Sequence, residues 1–224
     1  MILYHGSQKI VEQPKYGLGS PNNDYGLGFY CTRELELAKE WACPEVRDGF
    51  SNKYELDMTG LSVLNLNSDH YNILNWIALL LKNRIFEKRS PISRQASTYL
   101  LDEFLPDLSG ADVVCGYRAD DSYFAYAKDF LNNTISVSQL AQAMKLGELG
   151  EQVVLMSKQS FEQIKFLEYE IADAGIYYTK RAEREERARV AYLHDHGADF
   201  ALSNDDLFAR DILQQRVTND DPRL

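Results

Sequence analysis

The chain has 224 residues, of which 45% are hydrophobic and 12% aromatic, so it can bury a core as one domain or as one domain with an extension. The formal net charge of −10 argues against a general binder of nucleic-acid phosphates, which needs a basic surface. The three cysteines form no Cys-x-x-Cys pair, which excludes a disulfide framework and a cysteine zinc site. No signal-peptide pattern opens the chain and no apolar run is long enough for a membrane span, so we expect no membrane association.

The first half of the chain reads as short strands followed by helices. In chain order we predict a strand at 2–5, a loop at 12–23, a strand at 28–32, a helix at 34–42 that ends before a proline, strands at 53–56 and 61–64, and helices at 71–86 and 93–104.

The second half continues the same mixture. We predict a strand at 111–116, helices at 123–131 and 138–145, a strand at 152–156, a stretch with mixed signals at 160–167, a charged helix at 180–193 and a last helix at 202–213. Because strands and helices do not alternate regularly, the fold class predicted is α+β.

Two short motifs carry the candidate chemistry, Tyr4-His5-Gly6-Ser7 and the later Gly26-Leu27-Gly28-Phe29-Tyr30. A histidine on a buried strand can reach a ligand hydroxyl, and the glycine after it lets a ligand approach the backbone. An aromatic ring on a neighbouring strand can stack on a planar base for about 1–3 kcal/mol. Such residues suit cleavage of a nicotinamide–ribose bond, which passes through an oxocarbenium-like state.

Together these motifs resemble the first two motifs of poly(ADP-ribose) polymerases and diphtheria-type toxins, which belong to the ADP-ribosyltransferase superfamily. The resemblance implies a split β-sandwich of short strands with surrounding helices. It implies that His5 binds the ribose 2′-hydroxyl of NAD⁺, that Gly6 binds the nicotinamide amide and that Tyr30 stacks on the nicotinamide. Trp41 stands in the place of the second stacking residue, and Ala38 replaces a serine that bonds the amide in those polymerases.

A bacterial domain family of the same superfamily is more similar still. Its pattern matches Tyr4 to Ser7, Asp24 to Thr32, Asp112 to Gly116 with Asp120-Asp121, and the strand that begins near residue 151. The resemblance runs from residue 1 to about residue 168 and continues weakly through the charged helix. We therefore expect a catalytic domain at 1–170 and a helical extension at 171–224. Besides His5, Gly6, Tyr30 and Trp41, the NAD⁺-binding residues that it implies are Tyr4, Ser7, Asp24, Gly28, Thr32, Asp120 and Phe124.

The third motif leaves two residues open. The polymerases have a glutamate at this strand, which Glu151 would match, whereas the bacterial family has a glutamine, which Gln152 would match. Adjacent strand residues point to opposite faces, so only one of the two can enter the site, and we favour Gln152. A neutral amide supplies no full charge, so the acid would come from Asp121 or Asp120.

The function expected is mono-ADP-ribosylation of a protein side chain, with NAD⁺ as co-substrate and without a metal. Members of the lineage include effectors that modify ubiquitin on a threonine, and toxins of toxin–antitoxin or anti-phage loci, so ubiquitin and an antitoxin are the partners implied. The corresponding compartments are the host cytosol and the bacterial cytoplasm. NAD⁺ glycohydrolysis and a non-catalytic module that binds ADP-ribose or a protein remain alternatives.

Overall fold

The computed structural model describes residues 1–87, 90–118, 121–144, 150–198 and 206–224, and this part of the chain forms two β-sheets and eight helices. The predicted α+β class is therefore confirmed. The strands are β1 (Ile2–Ser7), β2 (Phe29–Cys31), β3 (Gly49–Leu56), β4 (Val63–Asn65), β5 (Val113–Tyr117), β6 (Glu151–Leu155) and β7 (Ile164–Ala172). The helices are α1 (Leu35–Ala42), α2 (Ile73–Asn83), α3 (Pro91–Glu103), α4 (Asp121–Leu131), α5 (Val137–Ala143), α6 (Lys158–Glu162), α7 (Ala174–Ala198) and α8 (Ala209–Gln215).

The chain divides into two compact units, each made of three segments. The first unit contains Met1–Asn65, Leu108–Arg118 and Leu149–Arg184, and both sheets belong to it. The second unit contains Leu66–Asp107, Ala119–Glu148 and Glu185–Leu224. The boundaries of these two units do not coincide with residue 170. The division into domains at this residue stays a prediction.

The two sheets of the first unit face each other across a shared apolar cluster. One sheet has the strand order β1-β3-β7 and is antiparallel throughout, while the other has the order β2-β6-β5-β4 with only β4 and β5 parallel. Leu3 and Leu56 come from the first sheet and Cys31, Val113 and Val153 from the second, and all five are fully buried. Each such side chain stabilises the unit by about 1.5–3 kcal/mol through its burial.

Helix α1 lies very close to strands β1 and β3 because each strand has a glycine where the helix passes. A Cβ atom on Gly6 would lie 2.0 Å from the carbonyl oxygen of Ala38, and one on Gly49 would lie 2.1 Å from that of Ala42. The hydroxyl of Thr32 accepts a hydrogen bond from the backbone N–H of Glu34 at the start of the helix (3.2 Å). The position of α1 is thus fixed by backbone packing at its end and by a polar contact at its beginning.

The second unit is built from helices, and α2 is its most buried element. Asn72 begins α2 with a capping box that it forms with Asn75. Nine successive residues, 73–81, are buried, so this helix is enclosed on all sides. No helix in the described part of the chain has the length and apolar character needed to cross a membrane.

The largest difference from the predicted elements concerns residues 158–180. The mixed signals at 160–167 correspond to a short helix, α6, and then to β7, which continues to Ala172. Helix α7 begins at Ala174, earlier than the predicted residue 180, because Asp173 accepts a hydrogen bond from Gly175 N at 2.7 Å and its carbonyl accepts from Ile176 and Tyr177. The last helix begins at Ala209, and residues 202–205 of its predicted range lie outside the described residues.

Candidate functional site

Strands β1 and β2 belong to different sheets and touch at a single bridge. Tyr4 N donates to Thr32 O (2.8 Å) and Thr32 N donates to Tyr4 O (2.9 Å). If this antiparallel pairing continued, Gly6 would face Tyr30. Instead the Tyr30 carbonyl oxygen lies 2.7 Å from His5 Nδ1, and β2 pairs with β6. The strands therefore separate here, and we call the space between Gly6 and Tyr30 the wedge.

The bond to Tyr30 fixes the tautomer of His5. A carbonyl oxygen can only accept, so Nδ1 carries a hydrogen and, in the neutral ring, Nε2 is left with its lone pair. Burial lowers the pKa of His5 below its ordinary value, although the bond to the Tyr30 carbonyl acts in the opposite direction. The ring also packs on Phe29, with 4.4 Å between ring centroids. At neutral pH, His5 is thus an uncharged ring whose orientation is fixed and whose Nε2 can accept a hydrogen bond.

The backbone of Gly6 forms the other side of the wedge. Residues two apart in a strand direct their N–H and C=O groups to the same edge, so those of Gly6 point where those of Tyr4 meet Thr32. Beyond that bridge no backbone hydrogen bond joins β1 to β2 among the residues that the structure describes. The edge at Gly6 therefore offers one donor and one acceptor, the pattern that a carboxamide complements.

The Tyr30 ring is held by the loop before it. Its hydroxyl donates to Gly26 O at 2.6 Å and accepts from Tyr25 N at 3.1 Å. Gly26 has a φ of 79°, which favours glycine at this turn. The Tyr25 hydroxyl in turn donates to Tyr117 O at 2.5 Å. These bonds leave the ring face, and not the hydroxyl, as the part of Tyr30 suited to a ligand.

Gln152 and Glu151 are neighbours in β6, and their side chains lie on opposite faces of the sheet. Tyr30 pairs with Val154 in the sheet, and Gln152, two residues earlier in β6, shares their face. Gln152 is buried, and its Nε2 donates to Asp24 Oδ2 at 3.0 Å. Glu151 lies on the other face, where an oxygen is 3.7 Å from Arg33 Nε. Of the two, Gln152 is therefore the residue on the face that carries Tyr30.

Trp41 lies on α1 beside Gly6, since its Cβ is 2.9 Å from where a Gly6 Cβ would be. The guanidinium of Arg118, at the end of β5, is centred 4.2 Å from the indole ring. The indole Nε1 is buried, and no acceptor in the described part of the chain bonds to it. An unpaired buried donor costs about 1–3 kcal/mol, so an acceptor atom brought to this position by a ligand or a water molecule would be stabilised.

The other predicted binding residues near the N-terminus support the strands. Tyr4 and Thr32 form the bridge through their backbones. The Ser7 hydroxyl accepts from the buried Asn52, whose amide also donates to the His5 carbonyl at 3.1 Å. Asn52 thereby fixes the end of β1.

Gly28 lies directly before β2 and lines a pocket of about 150 Å³ together with Tyr16, Gly17, Leu18, Leu27, Met156 and Phe161.

Of the three predicted residues around 120, Asp121 and Phe124 lie in the second unit. Asp120 is outside the described residues, and Asp121 is the first residue of α4, with its side chain outside the described part. Phe124 packs on Phe86 at 5.3 Å between centroids and under the Arg84 guanidinium at 4.8 Å. A ligand-binding role for these three residues stays a prediction.

Sequence reasoning missed Arg118, Tyr25 and Asn52. Arg118 is distant from Trp41 in the sequence, and only the fold shows that its guanidinium lies over the indole ring. Tyr25 directly precedes the second motif and could have been noticed as an aromatic residue next to its first glycine. Among the residues that the structure describes, no group of three or more His, Cys, Asp or Glu side chains is arranged to hold a metal ion.

Comparison with known proteins gives one match. No curated protein and no solved structure matches the chain. A family model described as "Protein of unknown function (DUF3990)" matches residues 1–166, which include β1, β2, α1 and β6 with all the residues of the wedge. The chain therefore belongs to this DUF3990 family.

Proposed function

We propose that the chain binds NAD⁺ at the wedge, breaks the nicotinamide–ribose bond and transfers ADP-ribose to a protein side chain. The observation that carries the proposal is the 2.7 Å contact between His5 Nδ1 and the Tyr30 carbonyl at the point where β1 and β2 separate. This contact joins the two motifs, because it bonds the oriented histidine of the first to the backbone of the tyrosine of the second, next to the open backbone edge of Gly6. Two sheets linked by one bridge also fit a split β-sandwich of the ADP-ribosyltransferase type.

Each group at the wedge has a chemical counterpart in NAD⁺. The edge of Gly6 complements the carboxamide of nicotinamide, and the faces of Tyr30 and Trp41 suit its planar ring. The lone pair of His5 Nε2 suits a ribose hydroxyl. The nicotinamide ring of NAD⁺ is positively charged, and the Trp41 ring already attracts a cation, the Arg118 guanidinium.

Bond cleavage would be assisted by orientation and by charge. The glycosidic electron pair moves to the nicotinamide nitrogen, which becomes neutral, while positive charge develops at the ribose. An acceptor hydroxyl then bonds to the ribose carbon and releases its proton. Groups that hold both parts of NAD⁺ in line lower the barrier by fixing this geometry beforehand.

The test is to incubate the pure protein with labelled NAD⁺, first with ubiquitin and then with a cell lysate. We expect label on a macromolecule, and loss of this label in His5→Ala and in Tyr30→Ala. The matched controls are His70→Ala and Tyr178→Ala, which alter exposed residues elsewhere in the chain. Free ADP-ribose without a labelled macromolecule would identify a glycohydrolase, and bound but uncleaved NAD⁺ would identify a binding module. Turnover that neither site variant reduces would refute a catalytic role of the wedge.

A further inference from the structure

Asp24 and Gln152 form a buried pair on the face of Tyr30. Their side chains are 3% and 4% exposed, and Gln152 Nε2 donates to Asp24 Oδ2 at 3.0 Å. A carboxylate can only accept hydrogen bonds. It therefore holds the amide with its nitrogen towards Asp24, and the carbonyl oxygen Oε1 is the end that Gln152 directs away from Asp24.

The loop that bears Asp24 is the loop that holds Tyr30. The next residue, Tyr25, donates its N–H to the Tyr30 hydroxyl, and Gly26 accepts from that hydroxyl. Gly26 N also donates to Asn23 O at 2.9 Å, which closes a turn around Asp24. The carboxylate is thus fixed relative to the aromatic ring on one side and to the strand of Gln152 on the other.

The proposed reaction needs a negative charge near the ribose, and this pair contains one. An oxocarbenium-like state is stabilised by negative charge, yet the residue of β6 on the Tyr30 face is a neutral glutamine. Glu151 cannot take its place without turning the strand over, because it lies on the opposite face beside Arg33. Asp24 is a carboxylate that bonds to the amide nitrogen of Gln152. Its negative charge therefore lies across the amide group from the carbonyl oxygen Oε1 of Gln152.

We propose that Asp24 and Gln152 act as one unit that replaces a single glutamate, with Gln152 Oε1 facing the ribose and Asp24 supplying the negative charge behind it. Asp24 is a positioning residue in this scheme, since it acts through Gln152. When the glycosidic electron pair leaves with nicotinamide, the positive charge on the ribose carbon is stabilised by an amide dipole that the carboxylate orients and polarises. The charge disappears when the acceptor hydroxyl bonds to this carbon and loses its proton. The inference rests on the proposed function.

A swap of the two groups tests the unit. Asp24→Asn removes the charge and should lower kcat by about 100-fold, as loss of one preorganised electrostatic group does, with little change in Kd for NAD⁺. Gln152→Glu places two carboxylates side by side, and because like charges oppose the ionisation of both, kcat should acquire a pH dependence different from that of the wild type. The double variant, Asp24→Asn with Gln152→Glu, again has one carboxylate bonded to one amide. It should therefore recover much of the kcat lost in Asp24→Asn.

The matched controls are Asp220→Asn and Gln159→Glu, two exposed positions where the same chemical changes should leave kcat unaltered. Thermal unfolding and NAD⁺ binding are measured for every variant. A folded, NAD⁺-binding Asp24→Asn with the kcat of the wild type overturns the inference, and so does a folded double variant no more active than Asp24→Asn. If Asp24→Asn does not fold, the pH profile of Gln152→Glu decides, because an unchanged profile overturns the unit and a new pH dependence supports it.

Failure of this inference is distinguishable from failure of the proposed function. If the wild type neither binds nor cleaves NAD⁺, the function itself is wrong. If the wild type cleaves NAD⁺ and His5→Ala abolishes the cleavage while Asp24→Asn does not, only the unit of Asp24 and Gln152 is wrong.

Discussion

Substitution of Gly6 by alanine should separate the packing role of this glycine from its role at the wedge. A Cβ atom at this position would lie 2.0 Å from Ala38 O, 2.7 Å from Ala42 N and 2.9 Å from Trp41 Cβ. Two of these are backbone atoms, so no side-chain rotation relieves the overlap. Since real Cβ contacts below 3.0 Å essentially never occur, α1 must withdraw by about 1 Å. We expect Gly6→Ala to lower the free energy of unfolding by about 3 kcal/mol, the upper end for overpacking.

The same displacement should reach the proposed ligand site, because α1 carries Trp41. The backbone donor and acceptor of residue 6 are chemically unchanged in the variant, so any loss of affinity for NAD⁺ comes from geometry. A displacement of about 1 Å can lower the catalytic rate by about 100-fold. We therefore expect Gly6→Ala to lower kcat/KM for NAD⁺ by about this factor under conditions where it is still folded.

Urea unfolding followed by circular dichroism measures the first effect, and NAD⁺ turnover measures the second. Gly110→Ala is the matched control, because nothing lies within 4 Å of its Cβ position. This control should change the unfolding free energy by no more than about 0.5 kcal/mol. A Gly6→Ala protein as stable as Gly110→Ala, with kcat/KM unchanged, would refute the packing of α1 on β1 described above.

Three further predictions concern the groups around the wedge. Burial lowers the pKa of His5, so below its ordinary pKa of 6.5 the unfolded chain binds a proton that the folded chain does not. The unfolding free energy should therefore fall by up to about 1.4 kcal/mol for each pH unit below 6.5. Above this pH the contribution of His5 should stay constant. Urea titrations at three pH values should show this decline reduced in His5→Gln and retained in His70→Gln, and an identical decline in both would contradict it. Tyr30→Phe removes one donor and one acceptor from the preceding loop and should cost about 1–3 kcal/mol of stability while Kd for NAD⁺ changes little; a large rise in this Kd would show that the hydroxyl, and not the ring, contacts the ligand. Arg118→Met should bind 1-methylnicotinamide, a cation, about 2–5 times more tightly in a fluorescence titration, because the guanidinium no longer competes for the Trp41 ring. Unchanged or weaker binding would contradict a shared ring face.

Elements that depend on residues close together in the sequence could be predicted, and elements that depend on distant partners could not. Strands β1, β2 and β6 contain short apolar runs, and their positions agree with the prediction to within about two residues. The mixed signals at 160–167 span the end of α6 and the start of β7, and the rest of β7 was not predicted as a strand although Leu167, Tyr169 and Ile171 alternate with charged residues. Its partner is β3, more than a hundred residues away, where Lys53 pairs with Glu168 at 2.6 Å. No local pattern contains that information.

The same distinction applies to the candidate site. The motifs of His5 and Tyr30 could be recognised because each is a compact run of residues near the N-terminus. The alternation of a strand was also sufficient to favour Gln152 over Glu151, and the structure puts them on opposite faces of β6. The sequence could not reveal the bond between Gln152 and Asp24, which lie 128 positions apart. Hydrogen bonds across such separations depend on which strands become neighbours, and short-range patterns do not encode this.

The point at which β1 and β2 separate determines more of the chemistry than any single side chain. If the ladder ran on to its next hydrogen-bonded pair, the Tyr30 carbonyl would accept the Gly6 N–H, as antiparallel pairing requires. His5 Nδ1 would then share its acceptor with the ladder, and the backbone edge of Gly6 would be closed. The separation of β1 from β2 beyond the Tyr4–Thr32 bridge, while β2 stays paired with β6, therefore leaves the Tyr30 carbonyl to His5 and the edge of Gly6 open at the same time. Substitutions that lengthen the β1–β2 ladder should abolish NAD⁺ binding even when His5, Gly6 and Tyr30 are all retained.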